Sequence, residues 1–180
     1  MRRTAIVCGL IAIAVSAVYA QVASHAFLEF DDGLYVTGNQ RVQEGLSLDN
    51  IVWAFVNTDA YIWHPLTWLS YLVDFELHGI ESAGPWLVTN VAWHVATALV
   101  LVAVLVSLTG RFWPSAFVAA LFALHPVQAE PVSWVSGRKE VLSGFFFVVT
   151  LDQSADHILD ACPALSKGVT NVEDFLQGYR

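Results

Sequence analysis

Charge is what this chain has least of. Only 13% of its 180 residues are Asp, Glu, Lys or Arg, against 56% hydrophobic ones, where a soluble domain carries roughly 25% charged residues. That balance argues against a water-solvated surface and for a membrane protein. Lys and Arg together number 8 and nowhere cluster, so a nucleic-acid partner, which needs a basic footprint for phosphates, is excluded. The two cysteines, Cys8 and Cys162, support neither a disulfide framework nor a metal knuckle. No G-x-S-x-G, P-loop or G-x-G-x-x-G run occurs, which removes the usual footing for a serine hydrolase, an ATPase or a Rossmann enzyme. His64, His78, His94 and His125 lack metal-site spacing.

Long apolar runs fill the space that charge leaves. Arg2 and Arg3 precede an uncharged stretch from Thr4 to Ala23, about the 20 helical residues that cross a hydrocarbon core. It reads as a signal anchor or, with small residues in "VYA" (Val18 to Ala20), as a cleavable signal peptide. Further spans are expected over Trp86–Leu108 and from Phe112 to about Leu124. A fourth begins at Val141 and stops at Asp152, eleven residues on, a rise of about 17 Å where roughly 30 Å is needed. The fold class expected is thus all-α and integral to the membrane: three full transmembrane helices, a truncated fourth, and amphipathic surface helices in the first external loop.

The positive-inside rule places Arg2, Arg3 and Arg111 in the cytoplasm. Ser24–Pro85 and His125–Glu140 then face outward together, and Arg138 and Lys139 are basic residues on the wrong side. In the first loop, "GLSLDNIVWAFVN" reads as a helix capped by Ser47, and "HPLTWLSYLVDFELHG" as one with Pro65 at its first position and Gly79 at its cap. Both suit a membrane surface. Most of the seven tryptophans fall at the edges of apolar runs or between them, as an interfacial belt would place them. Trp63, Trp68 and Trp134 are also candidates for stacking on a sugar or lipid.

Asp31 and Asp32 stand out in "FLEFDDGLYV", at the outer mouth of the first span. In an extended segment they would point to opposite faces, one toward a reacting group and one toward a positive partner. The second loop gathers His125, Glu130, Arg138, Lys139 and Glu140 at the same face, and ionisable groups at that depth are functional or paired with one another. An Arg138 ion pair with Glu130 or Glu140 that closes a turn is the structural alternative. Asn90 and His94 share a helix face and suit packing between helices better than ligation.

The order "FDD" (Phe30–Asp32), Asn39, "HPLT" (His64–Thr67), "TNVAWH" (Thr89–His94), "LFALHP" (Leu121–Pro126), Glu130 and "VSGRKEVLS" (Val135–Ser143) resembles the transmembrane and tetratricopeptide-repeat O-mannosyltransferases and their bacterial relatives, of the GT-C class of membrane glycosyltransferases. The resemblance covers about His25–Leu151. It implies a partial GT-C fold and an enzyme that carries a sugar, mannose foremost, from a polyprenyl-phosphate donor to Ser or Thr hydroxyls of an acceptor protein with inversion. On that reading Asp31 or Asp32 is the catalytic base, Arg138 and Lys139 meet the donor phosphate, and Glu130, His64, His94, His125 and Asn90 support the site. His64 would cap its surface helix and Glu130 would orient Arg138. A divalent cation at Asp31 or Asp32 stays open. The implied location is a bacterial inner membrane, with a cytoplasmic N-terminus and extracytoplasmic active loops.

Two domains are expected: residues 1–151 as the N-terminal membrane part, and residues 152–180 as a short tail of soluble composition, unrelated to the family. That tail holds five acids, Asp152, Asp156, Asp160, Glu173 and Asp174, against Lys167 and Arg180, and points to a shifted reading frame or a misjoined gene. As a truncated piece the chain is expected to be inactive alone. The competing function is a small non-enzymatic membrane protein that anchors or scaffolds a partner.

Overall fold

A computed structural model describes residues 2–58 and 62–153; the expectations for residues 154–180 lie outside the described residues. The described chain is helical throughout, with no strand. Its eight α-helices are α1 (Arg2–Val18), α2 (Gln40–Gln43), α3 (Leu48–Val56), α4 (Pro65–His78), α5 (Gly84–Thr109), α6 (Phe112–Leu124), α7 (Ala129–Ser133) and α8 (Arg138–Gln153).

Local chemistry sets most of these ends. The Ser47 hydroxyl accepts from the Asn50 amide at 3.1 Å to start α3. Pro65 occupies the first turn of α4, where its missing N–H costs nothing, and Gly79 ends the helix at φ 65°. Gly110 closes α5 in the left-handed conformation, at φ 66°. The adjacent Thr109 hydroxyl accepts from the Arg111 amide at 3.2 Å, and the Ser115 hydroxyl returns to the Arg111 carbonyl at 2.7 Å. These bonds make the turn into α6 tight.

α5 is the central pole, packed by α1, α6 and α8. The core runs along it, from Ile11, Val15 and Tyr19 of the α1 side to Trp86, Leu87 and Val91. At Gly84 the start of α5 meets the short 3₁₀ turn Ala20–Ser24, so closely that a β-carbon there would strike the Ala23 carbonyl. His94 and the Ala123 carbonyl, 2.9 Å apart, join α5 to α6.

Span lengths differ from expectation. α5, with 26 residues, is one helix long and apolar enough to cross a membrane. α1 ends at Val18 because the chain turns into the 3₁₀ segment, which leaves 17 helical residues, about 25 Å. α6 has 13 residues and is long enough only together with Pro126–Ser133, across a 47° bend. Pro126 accounts for that break, since it disfavours helical geometry at His125. Three full spans are therefore not what the described residues show. α8 starts at Arg138 rather than Val141, as its first turn is charged.

Candidate functional site

The two aspartates are helical, not extended. A helical turn begins at Asp31 and passes into a single π turn, Gly33–Thr37, closed by the Gly38 amide on the Gly33 carbonyl at 2.8 Å. The pair still divides, because successive helical side chains point about 100° apart. Asp32 turns inward and is 1% exposed. One of its oxygens accepts from the Leu28 amide at 2.9 Å, and the other from the Ser136 amide at 3.0 Å and the Ser136 hydroxyl at 2.5 Å. This carboxylate ties the first loop to the second. Asp31 is half-buried, with no hydrogen bond or ion pair among the described residues. Its charge acts on Tyr35, whose phenol is raised above its ordinary value first by burial, then by Asp31 and Glu140.

Arg138 and Lys139 divide in the same way. Arg138 is 0% exposed and has partners on all three nitrogens. Nη2 pairs with Asp74 at 2.6 Å and donates to the Trp86 carbonyl at 2.8 Å, Nη1 donates to the Ser70 hydroxyl at 3.2 Å, and Nε donates to the Asn90 side-chain oxygen. The Asn90 amide donates in turn to the Trp134 carbonyl at 2.7 Å, and the Thr89 hydroxyl to Asp74 at 3.0 Å. The expected partners of Arg138, Glu130 or Glu140, are thus replaced by Asp74 and Asn90, which lie inside with it; Glu130 is exposed in the first turn of α7. An anion could reach the guanidinium only by displacing this set. Lys139 is the accessible cation. Its ammonium sits 4.9 Å from the Tyr35 ring centre, donates to the Ser136 carbonyl at 3.2 Å and lies 3.7 Å from Glu140.

Lys139 and His64 border a pocket of about 420 Å³ between α4 and α8, otherwise walled by groups such as Phe55, Trp63, Leu142 and Phe146. A second chamber of about 410 Å³ shares Leu66, Leu142 and Phe146 with it and continues along Leu69, Val73 and Trp93. Together they form an apolar groove with a cation at one end.

His64 does not cap α4 through its side chain. Its Nδ1 lies 2.8 Å from the Ile62 carbonyl, and the ring stacks on Trp68 at 4.8 Å. Burial lowers its pKa below the ordinary imidazole value, the Ile62 carbonyl opposes this, and Lys139 lowers it further. His125 is exposed and accepts from the Val127 amide at 3.1 Å, so it caps the 3₁₀ turn Pro126–Gln128. His94 and Asn90 hold helices together as described. Trp68 and Trp86, expected at an interface, are fully buried, because they supply the aromatic packing around Tyr71. Trp63 stays exposed at the pocket.

Both Asp32 oxygens are engaged, so a cation could reach that carboxylate only by displacing these bonds, and among the described residues no three of His, Cys, Asp and Glu converge.

Sequence reasoning missed Asp74, Ser70, Tyr35 and Ser136. Asp74 was findable: Thr67, Trp68, Tyr71 and Asp74 recur at helical spacing on one buried stripe, and a lone acid on such a stripe needs a cation.

The chain is similar to several protein O-mannosyl-transferases. It is 33% identical over 131 residues to Tmtc2 of Drosophila melanogaster, covering 67% of this chain and 14% of that protein. With human TMTC4 the identity is 27% over 141 residues, covering 67% and 19%, and with tmtc2 of Xenopus laevis 32% over 91 residues, covering 49% and 10%. The chain therefore spans less than a fifth of the length of these relatives. No family model matches the chain, and no solved structure matches it.

Proposed function

We propose that this chain is the N-terminal membrane part of a glycosyltransferase that moves mannose from a polyprenyl-phosphate donor to Ser or Thr hydroxyls of a protein. The similarity to protein O-mannosyl-transferases supports the coarse activity. The observation that carries the site is the Lys139 ammonium, 4.9 Å from the Tyr35 ring and lining the apolar groove, with the half-buried Asp31 carboxylate acting on the same Tyr35.

In this reading the groove takes the prenyl chain and Lys139 faces the phosphate. Asp31 accepts the proton of the acceptor hydroxyl as its oxygen attacks the anomeric carbon. The carbon–oxygen bond to phosphate breaks on the opposite face, and the leaving phosphate takes up the bond's electron pair, its added charge offset by Lys139. Arg138 acts at one remove, holding α8 against α4 and α5. Asp32 and Ser136 keep the two loops together so that Asp31 stays beside Tyr35. Arg2, Arg3 and Arg111 would face the cytoplasm and the site the opposite side, as in a bacterial inner membrane. The rest of the acceptor site belongs to segments outside this chain.

A photoreactive mannosyl polyprenyl phosphate offered to the chain in vesicles should label α4 and α8, and Lys139→Met should reduce the labelling several-fold. Labelling spread evenly over α1 and α6 would remove the groove assignment. For catalysis, residues 1–151 grafted into the fly relative should support mannosyl transfer, and Asp31→Asn should abolish it. Full transfer by that variant would remove Asp31 as base. The alternative, a non-enzymatic anchor, draws on the exposed ridge Leu48, Val52 and Val56 of α3. It predicts no labelling of the groove.

A further inference from the structure

Two hydroxyls of the first chamber have no hydrogen-bond partner among the described residues. α8 lines that chamber with Lys139, Leu142, Ser143 and Phe146, the spacing of a single helix face. Ser143 is the polar member of the face one turn beyond Lys139, and it is exposed. From the other wall, α4 contributes Thr67. Thr67 is only 3% exposed, yet its unbonded hydroxyl is not one of the fully enclosed polar atoms, so the part left open includes that oxygen. By contrast Ser70, Thr97 and Thr150 each donate to a carbonyl of the preceding turn at 2.8 Å. Without such a bond a hydroxyl is costly in a groove that receives hydrocarbon.

Helix geometry turns these groups toward one anion. Ser143 follows Lys139 by about 6 Å along the axis, and helical side chains lean toward the N-terminus, so its hydroxyl tilts toward the turn that carries the ammonium. One phosphate, held by contacts of about 2.7 Å, bridges that separation. Arg138 cannot serve, because its nitrogens are taken up inside. We propose that Ser143 and Thr67 are binding residues that donate their hydroxyl hydrogens to the lipid phosphate beside Lys139. This rests on the functional reading above and extends it from a single cation to a three-sided phosphate site. Such donors hold the anion without adding charge to a groove inside the membrane, where charge is expensive.

The test uses the purified full chain in phosphatidylcholine nanodiscs, with equilibrium binding of farnesyl phosphate and of farnesol, which has the same tail and no phosphate. A hydrogen bond to a charged group corresponds to about 10- to 100-fold in affinity. Ser143→Ala and Thr67→Val should each weaken farnesyl phosphate by about tenfold or more and leave farnesol unchanged. Ser143→Thr and Thr67→Ser, which keep the hydroxyl, should retain most of the affinity. Full farnesyl phosphate affinity in either hydroxyl-free variant would overturn the proposal, as would an equal loss of farnesol, the mark of packing alone. Phosphatidic acid added to the nanodiscs should not compete. Competition that the same variants abolish would move the site to a bilayer headgroup and overturn the assignment to the donor. Wild type and Lys139→Met separate this inference from the reading beneath it. Wild-type chain that binds both lipids alike overturns the functional reading, and this inference with it; a preference for farnesyl phosphate that Lys139→Met removes and the hydroxyl-free variants keep overturns this inference alone.

Discussion

Replacing Asp74 by Asn leaves the Arg138 guanidinium in the interior without its anion. Both side chains are almost wholly enclosed, at 0% and 3% exposure, and 2.6 Å apart, so little solvent screening softens the loss. Breaking such a pair from one side destabilises by about 3–5 kcal/mol, because the remaining charge stays buried. At roughly 2–4 °C per kcal/mol for a chain of this size, the midpoint of thermal unfolding in detergent micelles should fall by about 6–20 °C, followed by near-ultraviolet circular dichroism of the Trp68 and Trp86 environment. The exposed Arg41–Glu44 pair, 3.7 Å apart on α2 and the residue after it, supplies the control: Glu44→Gln should change stability by less than about 1 kcal/mol. The double variant Asp74→Leu with Arg138→Met, which removes both charges, should recover most of the loss. If Asp74→Asn melts no lower than Glu44→Gln, the buried network is not what joins α4 to α8.

The aspartate pair should divide in stability measurements. Asp32→Asn weakens three donor contacts, two of them buried, and should destabilise by about 2–3 kcal/mol, whereas Asp31→Asn should stay within about 0.5 kcal/mol; denaturant titration of the two variants separates them. Because the His64 pKa in the folded chain lies below its ordinary 6.5, the unfolded chain binds more protons between the two values. Its contribution is therefore full above pH 6.5 and is lost as the pH falls toward the folded value. His64→Phe should flatten that acid limb in unfolding curves recorded across it. Gly84→Ala drives a methyl group into the Ala23 carbonyl and should cost about 1–3 kcal/mol, read as a lower midpoint with unchanged helicity. Tyr71, raised by burial, should weaken the fold as the pH climbs past 10, and Tyr71→Phe should remove that alkaline loss.

Helix α4 was legible from end to end, because Pro65 and Gly79 mark its limits by backbone chemistry that does not depend on neighbours. The beginning of α8 was not. Hydropathy registers apolar residues, and its first turn is Arg138, Lys139 and Glu140. The two doublets show a similar limit within the site. Sequence flagged Asp31–Asp32 and Arg138–Lys139 but could not say which member turns inward, since that depends on the helical phase at each point and on partners distant in the chain. Asp74 lies 64 positions from Arg138, and Ser136 lies 104 from Asp32. Trp68 and Trp86 were misplaced for a related reason: an aromatic at the edge of an apolar run suits an interface and a core equally until the neighbouring helix is known.

The buried cation also sets an order of assembly. Ribosomal synthesis delivers Ser70 and Asp74 first, then Trp86 and Asn90, and Arg138 last, at the head of α8. In the proposed topology Asp74 waits on a surface helix in contact with water, and the amide of Asn90 carries no net charge. The guanidinium, the group least tolerated by hydrocarbon, thus emerges only after every acceptor that holds it has been made. Reversing that order by circular permutation would leave Arg138 waiting unpaired in the translocon, and the same set of contacts would become an obstacle to insertion.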